Sequence, residues 1–422
     1  MDKLKAILPQ GISVIALLYF FFNTVGLPNG LTYTLLLSPL FLFFQLQNRW
    51  IKVYGYGLLI GLTFFLIHFI QGVNLNLYLI SSTLLFGAVI FTLATYQFTL
   101  QGPAVFNRVM RVLFATNTLL IPIAIAAYFS PWKTSWWYLE PISPGLPIIP
   151  RLKMLTYEAS YYSLLLVPVV FYFGLKILFI QPHHSLLNGI LLLLPLLASF
   201  SLGVMGGIAV ALFIVYFSHI KWLVIHRNFR RTFILLSGSI VLGLIALIIF
   251  YPENPLFLRL ANIVEGSDTS SRGRTFESFV LAWKMCQEKS IWFGIGLGQI
   301  KELGRDIIIH FYQYVRIPEV VRIPNAAAET LAQFGIVGLS LRLGLQVFLF
   351  FRTRVWSNFY RLSLFLFVFI YQFTGSFMVN IAELSIWVLA FSQVAPELDK
   401  SNLWQYTHLP VHRWEKEKGG ES

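Results

Sequence analysis

Of 422 residues, 57% are apolar and only 12% charged, with a mean hydropathy of +0.71 and a net charge of +13. A soluble globular chain carries about 25% charged residues, so this composition excludes a water-soluble protein, and the positive balance suits anionic lipid better than nucleic acid. The single cysteine, Cys286, excludes an intramolecular disulfide and a thiolate metal site.

At the N-terminus, Lys3 and Lys5 precede an apolar run that lacks a small-residue cleavage site. It reads as an uncleaved first span. Apolar windows near the ~20-residue spanning length then follow. The expected spans are 7–26, 31–46, 54–70, 77–98, 110–129, 158–179, 186–200, 203–219, 232–250, 326–350, 360–375 and 380–395. The expected fold is therefore all-α, a polytopic integral membrane protein of about twelve transmembrane helices. One transmembrane domain covers 1–422, with outer loops at 130–157 and 251–325 and a tail at 396–422.

Orientation follows from the basic residues. Arg49, Lys52, Arg108, Arg111, Arg227, Arg230, Arg231, Arg352 and Arg354 cluster at one set of connections, whereas the short turns at 27–30, 71–76 and 376–379 hold no basic residue. The positive-inside rule then puts both termini and the tail in the cytoplasm and both long loops outside. Basic residues in those loops, held against the insertion bias, need a function.

The first loop ends "PRLKMLTYEASYYSLLLVP". Arg151 and Lys153 precede Glu158, with Ser160 and Tyr161 just behind it. A carboxylate here either complements the helix dipole or sits at the water boundary of a cavity as a general base. The second loop carries "SSRGRTFESFVLAWKMCQEKSIWFGIGLGQ". Ser270 or Ser271 is the expected N-cap of an amphipathic interfacial helix whose apolar face is Phe276, Phe279, Val280 and Trp283. Arg272 and Arg274 would stand at its N-terminus, where two guanidinium groups and free N–H groups receive phosphate or pyrophosphate. Glu277 lies on the polar face. "GIGLG", Gly294 to Gly298, follows a helical pattern and reads as a flexible turn.

Arg316 and Arg322 come ahead of "NAAAETLAQFGIVGL", in which Asn325 leads a span and Glu329 lies one turn on, on the same face. An intramembrane carboxylate is a functional candidate by default. Arg342 is expected to snorkel. No Walker loop, HExxH, DxD or EF-hand occurs. Neither a metal nor a cofactor is called for.

The order of "EAS", "SSRGRTFESFVLAWK" and "NAAAETLAQFGIVGL" resembles the O-antigen polymerase and ligase superfamily of integral-membrane glycosyltransferases. The resemblance implies an undecaprenyl-pyrophosphate-linked glycan as donor, used at the periplasmic face of the bacterial plasma membrane, without a nucleotide sugar or metal. It also implies membrane lipids, a flippase and a chain-length regulator as partners. In the ligases a histidine precedes the motif asparagine; here that position is Pro324, which points toward a polymerase of O-antigen, capsule or exopolysaccharide. His310 would substitute only if its loop folded back. Relatives often carry arginine where "SFSLGVMGG" has Leu202, leaving a pyrophosphate contact to Arg151, Arg316 or Arg322. Glu158, Glu329, Arg272 and Arg274 are the catalytic candidates on this reading. Arg151, Lys153, Ser160, Tyr161, Glu277, Arg316, Arg322 and Asn325 are the binding candidates. A ligase acting on lipid A core and a lipid-linked sugar transporter are the alternatives.

Overall fold

The structure is a computed structural model. It describes residues 11, 22–25, 27, 31–47, 51–140, 148–180, 185–220, 249, 255–265, 268–312 and 321–403. The expected spans at 7–26 and 232–250, and Arg316, fall wholly or largely outside these residues.

Most of the described residues are helical. Helices α1 (Ser38–Gln47), α2 (Ile51–Ile70), α3 (Leu75–Thr99) and α4 (Pro103–Tyr128) lead to a two-stranded ribbon, β1 (Trp137–Tyr138) against β2 (Arg151–Leu152). Then follow α5 (Ala159–Phe179), α6 (Ser185–Ala198) and α7 (Leu202–Ser218). After them come four shorter helices: α8 (Pro255–Val264), α9 (Thr269–Arg274), α10 (Phe276–Glu288) and α11 (Leu303–Tyr312). The last three are α12 (Ala326–Arg352), α13 (Phe359–Tyr371) and α14 (Ile381–Phe391). Among the described residues, α2 from Lys52, α3, α4, α5 and α12 are long and apolar enough to cross a membrane, and α6, α7, α13 and α14 are shorter apolar helices. This is an all-α membrane protein.

Burial follows the expected solvent. Leu58, Leu59 and Ile70 of α2 and Leu341, Leu345 and Phe348 of α12 stay more than half exposed, as side chains facing lipid do. Helix α5 is surrounded instead: Tyr162, Leu166, Val167, Phe171 and Tyr172 are all buried in the main core with α3, α4, α7, α13 and α14. A second apolar cluster joins Leu281, Ala282, Met285 and Cys286 of α10 to Ala328, Leu331 and Ala332 of α12. The stripe of α10 packed on protein thus leaves Phe276 and Trp283, of the face expected to lie in the interface, open. Phe276 is 74% and Trp283 39% exposed, while the small residues on the other stripe let α10 approach the alanines of α12 closely.

Helix α12 is broken at Gly335, whose backbone (φ 66, ψ −165) is open to glycine. A break inside a membrane helix orphans backbone groups that lipid cannot satisfy. The segment after α10 supplies their partners. Ile295 N–H donates to the Ala332 carbonyl (2.9 Å) and Gly296 N–H to Gln333 (3.1 Å), while Ile336 and Val337 N–H donate to Ile291 (3.0 Å) and Trp292 (3.1 Å). The "GIGLG" stretch is therefore a strut bonded to α12, not a loose turn.

Across the break, Arg342 Nη1 donates to Thr330 Oγ1 at 3.2 Å. In a straight helix twelve residues span about 18 Å, so only the break permits this bond. Arg342 also donates to Glu383 Oε1 (2.7 Å) and Gln372 Oε1 (3.0 Å). It does not snorkel; it joins α12, α13 and α14. His68 is likewise a satisfied core residue: Nε2 donates to the Phe293 carbonyl at 2.7 Å and Nδ1 faces the Tyr78 hydroxyl at 3.3 Å.

A methyl group at Gly335 would lie 2.3 Å from the Trp292 carbonyl. We expect Gly335→Ala to cost at least ~2 kcal/mol, lowering the melting temperature of the detergent-purified protein by about 5 °C. Gly344→Ala, with open space around its position, should melt like the wild type. Equal melting of both variants would remove the stitched break from the account of stability.

Candidate functional site

One small cavity, of about 50 Å3, opens where four segments meet. Tyr157, Glu158, Ser160, Tyr161 and Leu164 come from the start of α5, Arg274 from the end of α9, and Pro324 from just before α12. Tyr371, Ser376, Phe377 and Asn380 close it from the α13–α14 connection.

Glu158 is the N-cap residue of α5 in extended backbone, but its side chain makes no cap bond. It accepts instead from Ser160 Oγ at 2.5 Å, so the carboxylate is turned into the cavity and half-buried. Tyr161 and Tyr157 line the cavity with it, their rings tilted against each other with centroids 4.7 Å apart.

The two arginines of "SSRGR" part company. The N-cap of α9 is Asp268, which accepts from Ser271 N–H at 3.0 Å; neither Ser270 nor Ser271 takes that place. Helix α9 ends at Arg274, and Thr275 (φ −106, ψ −98) breaks the chain before α10 begins. Arg272 and Arg274 therefore stand in the last turn of a short helix rather than at the N-terminus of the amphipathic one. Arg272, 61% exposed, pairs with Glu277 Oε1 at 3.2 Å. Glu277 also accepts from the Tyr312 hydroxyl at 3.0 Å, and neither partner of this pair lines the cavity. Arg274 does.

Asn325 holds Arg274 there. As N-cap of α12 it accepts from Ala328 N–H at 2.9 Å, and its Nδ2 donates to the carbonyls of Arg274 (2.8 Å) and Phe373 (2.6 Å). Its amide is fully committed to backbone and contacts the site only through others. Glu329, expected as a base, is similarly engaged: Oε1 accepts from Gln333 Nε2 (3.0 Å) and Oε2 from Met378 N–H (2.7 Å). It braces the segment that walls the cavity.

Two more guanidinium groups approach Arg274. Arg151 lies over the Tyr138 ring, 4.7 Å from its centroid, within the field of Glu158 and Arg274. Arg259 of α8, not anticipated from the sequence, lies 3.8 Å from the buried Asp268 and within the field of both Arg151 and Arg274. The Nε atoms of Arg151 and Arg259 are buried, and among the described residues they have no hydrogen-bond partner. Burial pushes both groups below the ordinary arginine value; Glu158 opposes this at Arg151 and Asp268 at Arg259, and repulsion from Arg274 adds to it. The only hint of Arg259 in the sequence is one charge inside the apolar "PLFLRLANIV".

The remaining candidates lie apart. Lys153 is half-buried with its ammonium pushed below the usual lysine value by burial, and it does not line the cavity. Arg322 is exposed, stacked 5.3 Å from the Phe377 ring centroid at the cavity's rim. His310 is exposed on α11 and is not part of the cavity wall.

No curated protein matches the chain. Residues 187–343 match the family model described as O-Antigen ligase, a stretch that runs from α6 past the break in α12 and contains Arg259, Arg274, Pro324 and Asn325. Over this stretch the chain is similar to the O-antigen polymerase and ligase superfamily.

Proposed function

We propose that the protein is a polysaccharide polymerase that transfers a glycan from undecaprenyl pyrophosphate to the next lipid-linked repeat unit, at the periplasmic face of the plasma membrane. One observation carries the reading: Arg151, Arg259 and Arg274 lie within one another's field, Arg151 beside Glu158 and Arg259 beside Asp268, and among the described residues the buried Arg151 Nε has no hydrogen-bond partner. Like charges at close quarters are costly unless an anion completes them. A pyrophosphate, multiply charged and rich in acceptors, suits such a set.

In this reading the acceptor hydroxyl oxygen attacks the anomeric carbon of the donor. The bond from that carbon to the pyrophosphate oxygen breaks, and the pyrophosphate leaves with the electron pair. Glu158 takes the hydroxyl proton, and the guanidinium groups offset charge on the leaving oxygen as it develops. Ser160 orients the Glu158 carboxylate. The cavity of about 50 Å3 has room for a few water molecules, too little for a sugar ring, so the 376–380 segment must shift to admit sugar. Pro324 in the cavity wall, where ligases of the superfamily place histidine, favours polymerase over ligase. The family description favours the second reading, a ligase acting on lipid A core.

The test is a gel assay in proteoliposomes with an undecaprenyl pyrophosphate repeat unit as the only substrate. The wild type should build a ladder of longer lipid-linked glycans. A substrate that stays monomeric until lipid A core is added supports the ligase, and one that only changes leaflet rejects the enzyme.

Loss of a charge-assisted hydrogen bond costs ~1.5–3 kcal/mol, so Arg274→Ala and Arg259→Ala should each lower the rate about 10- to 100-fold. Arg272→Ala should stay within about twofold of wild type, because Arg272 faces Glu277 and solvent. Equal losses at Arg272 and Arg274 would contradict the assigned geometry.

Glu158→Gln should lower kcat by about 100-fold or more while leaving donor binding intact. Asn325→Ala removes no arginine but frees the Arg274 carbonyl that it holds, and it should lower transfer with the rate falling alongside thermal stability. Asn325→Asp, which cannot donate to that carbonyl, should not rescue it.

A further inference from the structure

A second recess, of about 440 Å3, opens between the turn that begins α3 and the first turn of α11. Asn74, Asn76 and Leu77 form one wall, and Lys301, Glu302, Arg305 and Asp306 the other. We propose that this groove binds the sugar residues of the glycan that lie distal to the pyrophosphate, an assignment that rests on the glycan-transfer reading above.

The chemistry of the lining selects the ligand class. Two cations are balanced by two anions, so the groove attracts neither a phosphate nor a metal ion by net charge. Among the described residues these four side chains form no ion pair with one another. Lys301 and Glu302 precede α11 while Arg305 and Asp306 lie in its first turn; Glu302 and Arg305, three apart and opposite in charge, have the spacing to pair, yet no ion pair joins them. Donors and acceptors are thus left side by side, together with two amides. Asn74 spends its Oδ1 on the N–H groups of Asn76 (3.1 Å) and Leu77 (3.3 Å), which leaves its amide hydrogens to the groove. A neutral ligand dense in hydroxyls, able to donate and accept at each position, fits this pattern.

The walls are fixed to each other before any ligand arrives. Asn74 N–H donates to Gln299 Oε1 at 3.0 Å and Gln299 Nε2 returns the bond to the Asn74 carbonyl at 3.1 Å. Gly298 (φ 79) lies so close to α3 that a methyl group there would stand 2.5 Å from the Leu77 carbonyl oxygen and from Ser81 Oγ. Such preorganisation lowers the ordering cost of binding a flexible chain.

Distance from the cavity decides which part of the glycan is meant. Helix α11 runs back along α10: the Tyr312 hydroxyl meets Glu277, three residues from Arg274, and Gly304 packs on Met285. The groove is at the far end of this pair, about 15 Å away along a ten-residue helix. An oligosaccharide bridges that gap; a single sugar ring does not.

The experiment compares two lipid pyrophosphates in the proteoliposome assay, one bearing a full oligosaccharide repeat and one bearing a single sugar. Asn76→Trp fills the groove, and the double variant Lys301→Ala, Arg305→Ala strips its donors. Both should raise KM for the oligosaccharide at least tenfold with kcat within twofold, and leave the single-sugar substrate unchanged. Equal effects on both substrates, or none on either, overturn the proposal. Saturation-transfer NMR of the lipid-free oligosaccharide with the full chain in nanodiscs separates this from the enzymatic reading. Contacts to distal sugars that vanish in both variants support the groove even if no ladder forms, and contacts that persist in both, or are missing in the wild type, reject it.

Discussion

The exchange of four backbone hydrogen bonds between 291–296 and 332–337 is the constraint from which the site follows. A transmembrane helix broken at Gly335 is tolerated only where its orphaned groups meet protein partners, and the segment after α10 is that partner. Once stitched, the segment cannot move independently of α12. Helix α10 is then drawn against Ala328, Leu331 and Ala332, with Cys286 Sγ donating to the Leu331 carbonyl at 3.2 Å. That docking sets where α9 must end. Asn325 completes the frame by binding the carbonyls of Arg274 and Phe373 from the cap of α12.

Hydropathy made the spans readable, because burial in lipid demands long uncharged runs whatever the packing. The expected spans 77–98 and 326–350 and the observed Leu75–Thr99 and Ala326–Arg352 differ at the ends only. The site was less legible, and helix geometry says why. Residues two apart on a helix point roughly 200° from each other, so Arg272 and Arg274 could not act as the pair their spacing suggests to the eye. Helix α10 carries two apolar stripes at the same three- and four-residue spacing. Periodicity cannot choose between them; the alanines of α12 do, by accepting the narrower one. Arg259 was invisible because its neighbours, Arg151 and Arg274, come from distant segments brought together by the fold.

Two carboxylates that looked equivalent in sequence are separated by their hydrogen bonds. Glu329 has both oxygens occupied, one by Gln333 and one by Met378 N–H, and through the latter it fixes the connection that roofs the cavity. Glu158 has Ser160 and the cavity itself. Beneath them Arg342 binds Glu383, Gln372 and Thr330, an ion pair whose extra hydrogen bonds offset its desolvation. Glu158 and Glu329, the same residue type, are thus told apart by how many of their oxygens are bonded to the fold.

The same distinction explains why the arginine cluster stays charged and incomplete. Arg342 is matched atom for atom by buried acceptors, so removing any partner would leave a charge stranded. The buried Nε atoms of Arg151 and Arg259 have no hydrogen-bond partner among the described residues, Arg259 reaches Asp268 only at 3.8 Å, and both repel Arg274, which costs stability. A fold that needed only rigidity would replace such groups with apolar side chains of similar volume, at little cost or with a gain. Glu158 beside Arg151 and Asp268 beside Arg259 offset part of the arginines' cost; on the proposed reading an anion bound to the folded state would offset more, tying occupancy of the site to the stability of the frame around it.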